Sequence, residues 1–143
     1  MGMPTTPLIS STTMQINHRI SLQQCEPFTT KDGSMIRELL AHRNSSIRNQ
    51  SLAEATIPPQ IQTLSHYHPQ SEEIYYILEG SGTMYLGTEV FVVDPGDAIA
   101  IPPGTVHSIL NHTTQPLRFL CCCAPGYEHE DTIMVNPPSE TKD

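Results

Sequence analysis

From residue 51 onward, the chain consists of short apolar runs that alternate with turn residues. The runs read SLAEATI, TLSHYH, EIYYILEG, TMYLG, EVFVV, AIAI, VHSIL and PLRFLCCCA, and they are rich in the β-branched and aromatic residues that favour strands. The segments between them, such as GSG, DPGD and PPG, carry the glycine, proline and aspartate of tight turns. Short strands with no long helix between them predict an all-β protein, an antiparallel sandwich or barrel.

The pattern is weaker at both ends of the chain. Residues 1–33 are predicted to form an N-terminal arm or an edge-strand extension, because their Ser-, Thr- and Pro-rich beginning has no usable period. Residues 34–127 form the predicted barrel domain. Residues 128–143 are polar and are predicted to be a C-terminal strap that ends in a loose tail.

The segment IRELLAHR at residues 36–43 supports two interpretations. The spacing of Ile36, Leu39 and Leu40, together with the helix-favouring Glu, Leu, Ala and Arg, predicts a helix. The preceding KDG is instead a good hairpin turn, which favours a strand. The residues alone leave this choice open.

Composition and charge narrow the range of partners. The chain has 143 residues, enough for one domain with a single core. Seven Lys and Arg residues face fifteen Asp and Glu residues, and the net charge of −8 leaves no basic patch for nucleic acids or anionic membranes. No apolar run approaches the roughly 20 residues of a membrane-spanning helix. The N-terminus lacks the charged start and apolar run of a signal peptide, so a cytoplasmic location is expected.

Four cysteines are present, Cys25 and the consecutive Cys121, Cys122 and Cys123. Neighbours on a strand point to opposite faces, so the run cannot form a compact disulfide framework. The lack of a Cys-x-x-Cys pair argues against a structural zinc site. The run is predicted to consist of reduced, small apolar residues in a buried strand. The alternative is a thiol that faces a pocket.

The stretch HYHPQSEEIYYILEG, residues 66–80, combines metal-ligand side chains with strong strand residues. Residues two apart on a strand share a face, so His66 and His68 project together. On the strand that follows the turn, Glu73 and Tyr75 also share a face. If the two faces coincide, two imidazoles and a carboxylate converge, and this donor set suits Fe, Mn, Ni, Co or Zn.

A second stretch, GDAIAIPPGTVHSILN at residues 96–111, brings a third histidine. It reads as a glycine-opened turn, an apolar strand, a rigid Pro-Pro-Gly corner and His107 at the start of another strand. Asn111, at its end, is predicted to stabilise the following turn through side-chain bonds to the backbone. If His107 meets His66, His68 and Glu73 in the core, their burial without partners would cost several kcal/mol, and a bound metal ion would remove that cost.

Together the two stretches resemble the two motifs of the cupin superfamily, over about residues 50–125. The first motif, G-x5-H-x-H-x3,4-E-x6-G, is matched by His66, His68, Glu73 and Gly80. The second, G-x5-P-x-G-x2-H-x3-N, is matched at the family spacing by Gly96, Pro102, Gly104, His107 and Asn111. Gln60 stands where the first motif opens with glycine, at a turn position that supplies no ligand.

The resemblance implies a single-domain antiparallel jelly-roll β-barrel, in which IRELL is a strand. It also implies one divalent transition metal per chain (Fe, Mn, Ni, Co or Zn), held by His66, His68, Glu73 and His107. Three neutral imidazoles and one carboxylate on a divalent ion leave a net charge of +1 and, in an octahedral arrangement, two open positions. A homodimer is expected, with N-terminal strands packed across the interface over sheet edges that would otherwise be exposed.

Three functions are compatible with such a site, because a fold alone does not settle the reaction. The first is a metal-dependent enzyme with isomerase, lyase or hydrolase chemistry on a sugar, a sugar acid or a similar oxygen-rich small molecule. The second is a metal-dependent dioxygenase. The third is a non-catalytic protein that binds a small ligand at the metal.

Three residues are candidates for contact with the substrate. Glu73, or a bound water, would assist proton transfer in addition to its role as a ligand. Tyr75 shares the face of Glu73 and either donates a hydrogen bond to the ligand or serves as a wall residue. Arg37 either holds a substrate carboxylate or phosphate bidentately or lies at the surface in a salt bridge.

Overall fold

The computed structural model describes residues 17–135 as two antiparallel β-sheets. Two single turns of 3₁₀ helix, Leu22–Gln24 and His129–Asp131, are the helical segments of this range. The strands are β1 (Phe28–Thr29), β2 (Met35–Leu40), β3 (Ser51–Ile57), β4 (His66–Tyr67), β5 (Glu72–Glu79), β6 (Gly82–Leu86), β7 (Glu89–Val93), β8 (Ala98–Ile101), β9 (His107–Leu110), β10 (Leu117–Ala124) and β11 (Ile133–Met134).

The two sheets have a jelly-roll arrangement. The larger sheet has the order β1-β2-β3-β10-β5-β8, and the smaller has the order β11-β4-β9-β6-β7. Strands distant in the chain are neighbours in space, since β10 lies between β3 and β5 and pairs antiparallel with both. The predicted all-β antiparallel fold is therefore confirmed.

The ambiguous segment at residues 36–43 contributes a strand. β2 pairs with β1 on one side and with β3 on the other. The turn that precedes it contains Gly33 at a φ of 92°, a conformation that suits glycine in a hairpin. Ile36 packs against the core, whereas Arg37 contacts Glu54 outside it. This alternation has the period of a strand, and pairing on both edges overrides the helical spacing.

The core lies between the sheets and takes alternate residues from the long strands. In β5 the side chains of Glu73, Tyr75 and Ile77 are buried, and those between them are exposed. Seven large apolar side chains have 0–1% of their surface exposed: Ile57, Ile77, Met84, Val93, Ile109, Leu117 and Phe119. Full burial of such a side chain contributes about 1.5–3 kcal/mol. The packing of the apolar core thus stabilises the inner face of β5, on which Glu73 also lies.

The turn of the first motif is tied to the second motif. Gln60 adopts a φ of 65°, the left-handed conformation that glycine adopts most readily. The N–H of Gln60 donates to the carbonyl oxygen of Asn111 at 2.8 Å. The N–H of Asn111 donates in turn to the carbonyl oxygen of Ile61 at 2.9 Å. The buried Asn111 side chain also donates to the carbonyl oxygens of Ile57 and Gln115, as the turn prediction requires.

Strand structure extends beyond the range 34–127 predicted for the barrel. β1 adds an edge to the larger sheet, and β11 pairs with β4 in the smaller one. Residues 1–16 of the predicted arm and 136–143 of the predicted tail lie outside the described residues. Within residues 17–135, no helix is long and apolar enough to cross a membrane.

Candidate metal centre

Three histidines meet between the two sheets. β4 and β9 are antiparallel neighbours, and His66 lies directly opposite His107 in their register. His68 lies two residues beyond His66 and is buried with it. One ring nitrogen of each residue lies within 4.8 Å of the other two. Three buried imidazoles at this separation could hold a metal ion.

A backbone carbonyl orients each imidazole ring. Nδ1 of His66 and Nδ1 of His107 each donate at 2.9 Å to the carbonyl oxygen two residues earlier in the chain. Nδ1 of His68 donates to the carbonyl oxygen of Asp131 at 3.1 Å. Because a carbonyl oxygen only accepts, the proton of each neutral ring lies on Nδ1, and Nε2 keeps its lone pair. Metal-binding histidines are commonly oriented in this way.

Glu73 brings a carboxylate to the same point from the opposite sheet. Its Oε1 lies 3.3 Å from Nε2 of His68 and 3.4 Å from Nε2 of His107. Among the described residues, neither Oε1 of Glu73 nor Nε2 of His107 has a hydrogen-bond partner, although both atoms are buried. An unpaired buried polar atom costs about 1–3 kcal/mol, and a cation bound by both atoms would remove that cost. The donors present therefore fit a divalent metal ion.

The charge states of Glu73 and His66 agree with that fit. Burial alone would raise the pKa of the Glu73 carboxyl, but the imidazoles of His107 and His68 outweigh it and lower the pKa to about 2. Burial lowers the pKa of His66, and the neighbouring His107 lowers it further. Burial also opposes protonation of His68, yet Glu73 outweighs this effect and the pKa of His68 is raised. At neutral pH the centre presents a carboxylate beside an unprotonated His66.

Asp32 supplies a second carboxylate that the sequence did not indicate. It lies in the turn between β1 and β2, is 8% exposed, and places Oδ2 3.5 Å from Nε2 of His66. Its Oδ1 accepts hydrogen bonds from the Thr30 hydroxyl at 2.7 Å and from the N–H and hydroxyl of Ser34 at 2.9 and 2.6 Å. An aspartate in a turn such as KDG commonly accepts hydrogen bonds from its own turn, which explains the contacts of Oδ1. No local signal shows that Oδ2 faces a histidine of another sheet.

A cavity between the sheets opens onto these groups. His66, His68 and Glu73 all contribute to its wall. Much of the remaining wall is apolar, and it includes Phe28, Ile36, Ala53, Ala55, Phe119 and Cys121. A small molecule in this cavity would therefore contact both the candidate ligands and an apolar surface.

Tyr75 lines the cavity beside Glu73. Its ring packs against Phe119, with centroids 4.5 Å apart, and lies 6.0 Å from the ring of His107. Burial first, and the charge of Glu73 second, raise the pKa of the Tyr75 hydroxyl well above its ordinary value. The hydroxyl is therefore a protonated hydrogen-bond donor, which is compatible with both roles predicted for Tyr75.

The structure does not bring Arg37 to the cavity. Its neighbours Ile36 and Glu38 line the cavity, so strand alternation directs Arg37 to the opposite face of β2. There its Nη1 lies 3.7 Å from Oε1 of Glu54. In this position Arg37 fits the alternative, a salt-bridged arginine, and its predicted contact with a substrate remains a prediction.

Two of the three consecutive thiols face the cavity. Cys121 and Cys123 line it, and alternation places Cys122 on the other face of β10. All three are free, so the run is reduced as predicted, and the alternative of a pocket-facing thiol describes Cys121 and Cys123. Burial, followed by the charge of Glu73, raises the pKa of both cavity thiols. They remain protonated and are poor metal ligands in that state.

The C-terminal strap contributes to the centre. Tyr127 lines the cavity just before it. The carboxylate of Asp131 accepts hydrogen bonds from the N–H groups of Gln70 and Ser71 at 3.1 and 3.0 Å, while its carbonyl oxygen orients His68. The strap thus fixes the loop that follows β4 and one candidate ligand, a role that its polar sequence did not reveal.

Comparison with known proteins identifies similar chains. A family model described as a cupin domain matches residues 53–123, a range that contains all four candidate ligands. An uncharacterized protein of Methanocaldococcus jannaschii is 55% identical over 110 residues, which cover 77% of this chain and 88% of that protein.

Two proteins of named activity are also similar. A glucose-6-phosphate isomerase of Thermococcus gammatolerans is 37% identical over 75 residues, but these cover only 48% of this chain and 40% of the isomerase. The solved structure of the polyketide cyclase RemF from Streptomyces resistomycificus superimposes with a TM-score of 0.71. It is 26% identical, and the match covers 87% of this chain and 89% of RemF.

Proposed function

This chain belongs to the cupin family, and from that premise we propose that it is a metal-dependent enzyme acting on an oxygen-rich small molecule. One observation carries the proposal: imidazole nitrogens from one sheet and a carboxylate oxygen from the other converge where a cavity ends. The proposed ligands of one divalent ion per chain are His66, His68, Glu73 and His107. A site that served stability alone would need no cavity that reaches it.

The residues around the centre suit chemistry in which negative charge develops on a substrate oxygen. A bound divalent ion would polarise such an oxygen and stabilise the charge. The apolar wall formed by Ile36, Ala55 and Phe119 keeps screening by water low, which strengthens any electrostatic interaction inside the cavity. We therefore favour isomerisation, elimination or hydrolysis as the class of reaction.

The proposed roles of Glu73 and Tyr75 differ. A carboxyl group with a pKa of about 2 is a weak base at neutral pH, so Glu73 suits the role of ligand better than that of proton carrier. Tyr75 is the proposed hydrogen-bond donor to the substrate, since it lines the cavity and its hydroxyl stays protonated. Tyr75→Phe keeps the ring on Phe119 and should lower turnover at least about tenfold if the hydroxyl contacts the substrate.

Metal analysis tests the ligand set. Protein supplied in turn with Fe, Mn, Ni, Co and Zn should retain about one ion per chain with at least one of them. The double variant His66→Ala/His68→Ala should retain none. His112→Ala, which removes an exposed histidine outside the centre, is the matched control and should retain the ion. A double variant that holds the ion as well as the wild type would contradict the assignment.

Turnover assays then test the reaction class. Aldoses, ketoses and hydroxylated aryl ketones are incubated with the loaded protein with and without O₂, and the products are followed by NMR. Turnover without O₂ that chelation abolishes and Zn or Mn restores would support the proposal. Turnover that needs Fe and O₂ would indicate a dioxygenase, and binding without turnover would indicate a non-catalytic ligand-binding protein. Turnover that survives complete chelation would contradict a metal-dependent mechanism.

We also propose that the chain forms a homodimer. The outer face of β5 exposes a row of large apolar side chains, Ile74, Tyr76 and Leu78, with 47%, 43% and 37% of their surface accessible. β1 and β8 are the edge strands of the larger sheet in the described chain. Apolar rows and open edges are features that an interface between protomers commonly covers.

A further inference from the structure

The wall of the cavity is negatively charged. Within residues 17–135, its lining includes no lysine and no arginine, but it includes the carboxylates of Asp32, Glu38 and Glu73. The two positive charges of a divalent ion against these three negative charges leave a net charge of −1. An anion in the cavity would therefore be attracted by the metal ion but by no other positive charge of the cavity wall.

Lys31, Arg37 and Arg43, which neighbour or contact residues of the cavity wall, are engaged with other groups. Lys31 donates to two backbone carbonyl oxygens of the C-terminal strap at 3.1 and 3.0 Å. Arg43 donates to Oε2 of Glu38 at 2.8 Å and to Oε1 of Glu128 at 3.1 Å. Arg37 lies on the opposite face of β2. Arg43 brings the sum to zero only if the charge of Glu128, its second partner, is left out. Lys31 keeps its charge but is exposed, so water screens it.

Asp32 directs a fixed acceptor into this space. Three hydrogen bonds from Thr30 and Ser34 hold its Oδ1. Its Oδ2 accepts no hydrogen bond from the described part of the chain and lies beside Nε2 of His66. A carboxylate oxygen only accepts, so an uncharged organic ligand pairs with Oδ2 through a hydroxyl or an N–H group, whereas a bound cation is the other partner that this oxygen could take.

We propose that the site takes an uncharged, hydroxyl-bearing small molecule with an apolar part, and that Asp32 accepts a hydrogen bond from one of its hydroxyls. This inference rests on the proposed function and narrows its substrate class by excluding sugar acids and sugar phosphates. An anion would lose its hydration in the cavity without meeting a free cationic side chain. The apolar part of the molecule packs against Phe28, Ile36 and Phe119.

Two matched probes test the charge preference, ortho-hydroxyacetophenone and salicylate. Both carry a benzene ring, a phenolic hydroxyl and an adjacent carbonyl oxygen. The carbonyl carbon bears a methyl group in ortho-hydroxyacetophenone and an anionic oxygen in salicylate. In water the anion is the better partner of a divalent cation, so a preference for the neutral probe has to come from the cavity. Calorimetry measures both affinities on Co²⁺-loaded and on metal-free protein, and the visible spectrum of Co²⁺ reports whether a probe reaches the ion.

The wild-type protein should bind ortho-hydroxyacetophenone at least about tenfold more tightly than salicylate. Asp32→Asn removes one charge and keeps the shape of the side chain, so this preference should fall by about tenfold. The matched control is Glu72→Gln, which removes a charge from the exposed neighbour of Glu73. It should leave the preference unchanged within about twofold, because solvent screens that charge.

Salicylate binding as tightly as the neutral probe would overturn the inference. So would an unchanged preference in Asp32→Asn, or no binding of either probe at millimolar concentration. If Asp32→Asn does not fold, Glu38→Gln removes another charge of the cavity and should lower the preference in the same direction. The proposed function fails in a different way: a protein that takes up none of Fe, Mn, Ni, Co and Zn lacks the metal centre, while the metal-free measurements still report the charge preference.

Discussion

The thiol of Cys123 donates a hydrogen bond to Oε2 of Glu73 at 3.5 Å, and the two residues lie directly opposite each other where β10 pairs with β5. The other carboxylate oxygen, Oε1, faces Nε2 of His68 and His107. The thiol therefore fixes the orientation in which Glu73 reaches the centre. Partners of this kind commonly change metal affinity by about 10–100-fold when they are removed.

Cys123→Ala should weaken the binding of Co²⁺ or Zn²⁺ by about tenfold without changing the number of ions bound per chain. The reason is that Glu73 loses the donor that holds its second oxygen. Cys122→Ala, on the other face of the same strand, is the control and should keep the wild-type affinity. Competition with a chromophoric chelator measures both constants. Complete loss of the ion in Cys123→Ala would instead identify the thiol as a ligand.

Gln60→Gly should be more stable than Gln60→Ala by about 1 kcal/mol. Both variants lose the hydrogen bond from Nε2 of Gln60 to the carbonyl oxygen of Thr113 at 2.9 Å, so their difference isolates the backbone. At a φ of 65° alanine is strained and glycine is not. Urea unfolding monitored by circular dichroism gives the two free energies, and equal values would mean that the turn relaxes.

Arg118→Ala should lower the free energy of unfolding by about 2 kcal/mol, because it leaves the buried carboxylate of Glu54 without its closest donor. Nε of Arg118 donates to Oε2 of Glu54 at 2.7 Å, whereas Nη1 of Arg37 lies 3.7 Å from Oε1. Arg37→Ala should therefore cost only about 0.5 kcal/mol.

Neither arginine variant should change the binding of salicylate or of ortho-hydroxyacetophenone, since both side chains lie outside the cavity. Urea unfolding and calorimetry on the same preparations provide the comparison. A specific loss of salicylate binding in Arg37→Ala would restore the substrate-binding role first predicted for Arg37.

Light scattering at micromolar concentration should give twice the chain mass of 15.9 kDa, as expected for a homodimer. Ile74→Glu places a charge in the apolar row on β5 and should shift the mass toward that of one chain. Val90→Glu, which alters a valine on β7 that is more exposed than Ile74, should leave the mass unchanged. A wild-type mass near 15.9 kDa would reject the dimer.

The fold class and the shared orientation of the first candidate ligands could be predicted from the sequence alone. Both depend on local rules: residues two apart on a strand share a face, and turn residues mark where strands end. His66 and His68 are two apart, as are Glu73 and Tyr75, so their common orientation followed from spacing alone. The match of both motifs to a known family then brought His107 into the same set and made β2 a strand.

The pairing of strands sets which distant residues surround the candidate ligands. Cys123 contacts Glu73, which lies 50 residues away in the chain. Asp131 orients His68, which lies 63 residues away. Asp32 reaches His66 from the hairpin turn of the other sheet. The direction of Arg37 depended on the register of β2, in which a shift of one residue exchanges the two faces. Local periodicity carries no information about the pairing of distant strands, because the whole core decides which strands become neighbours and which side chains face each other.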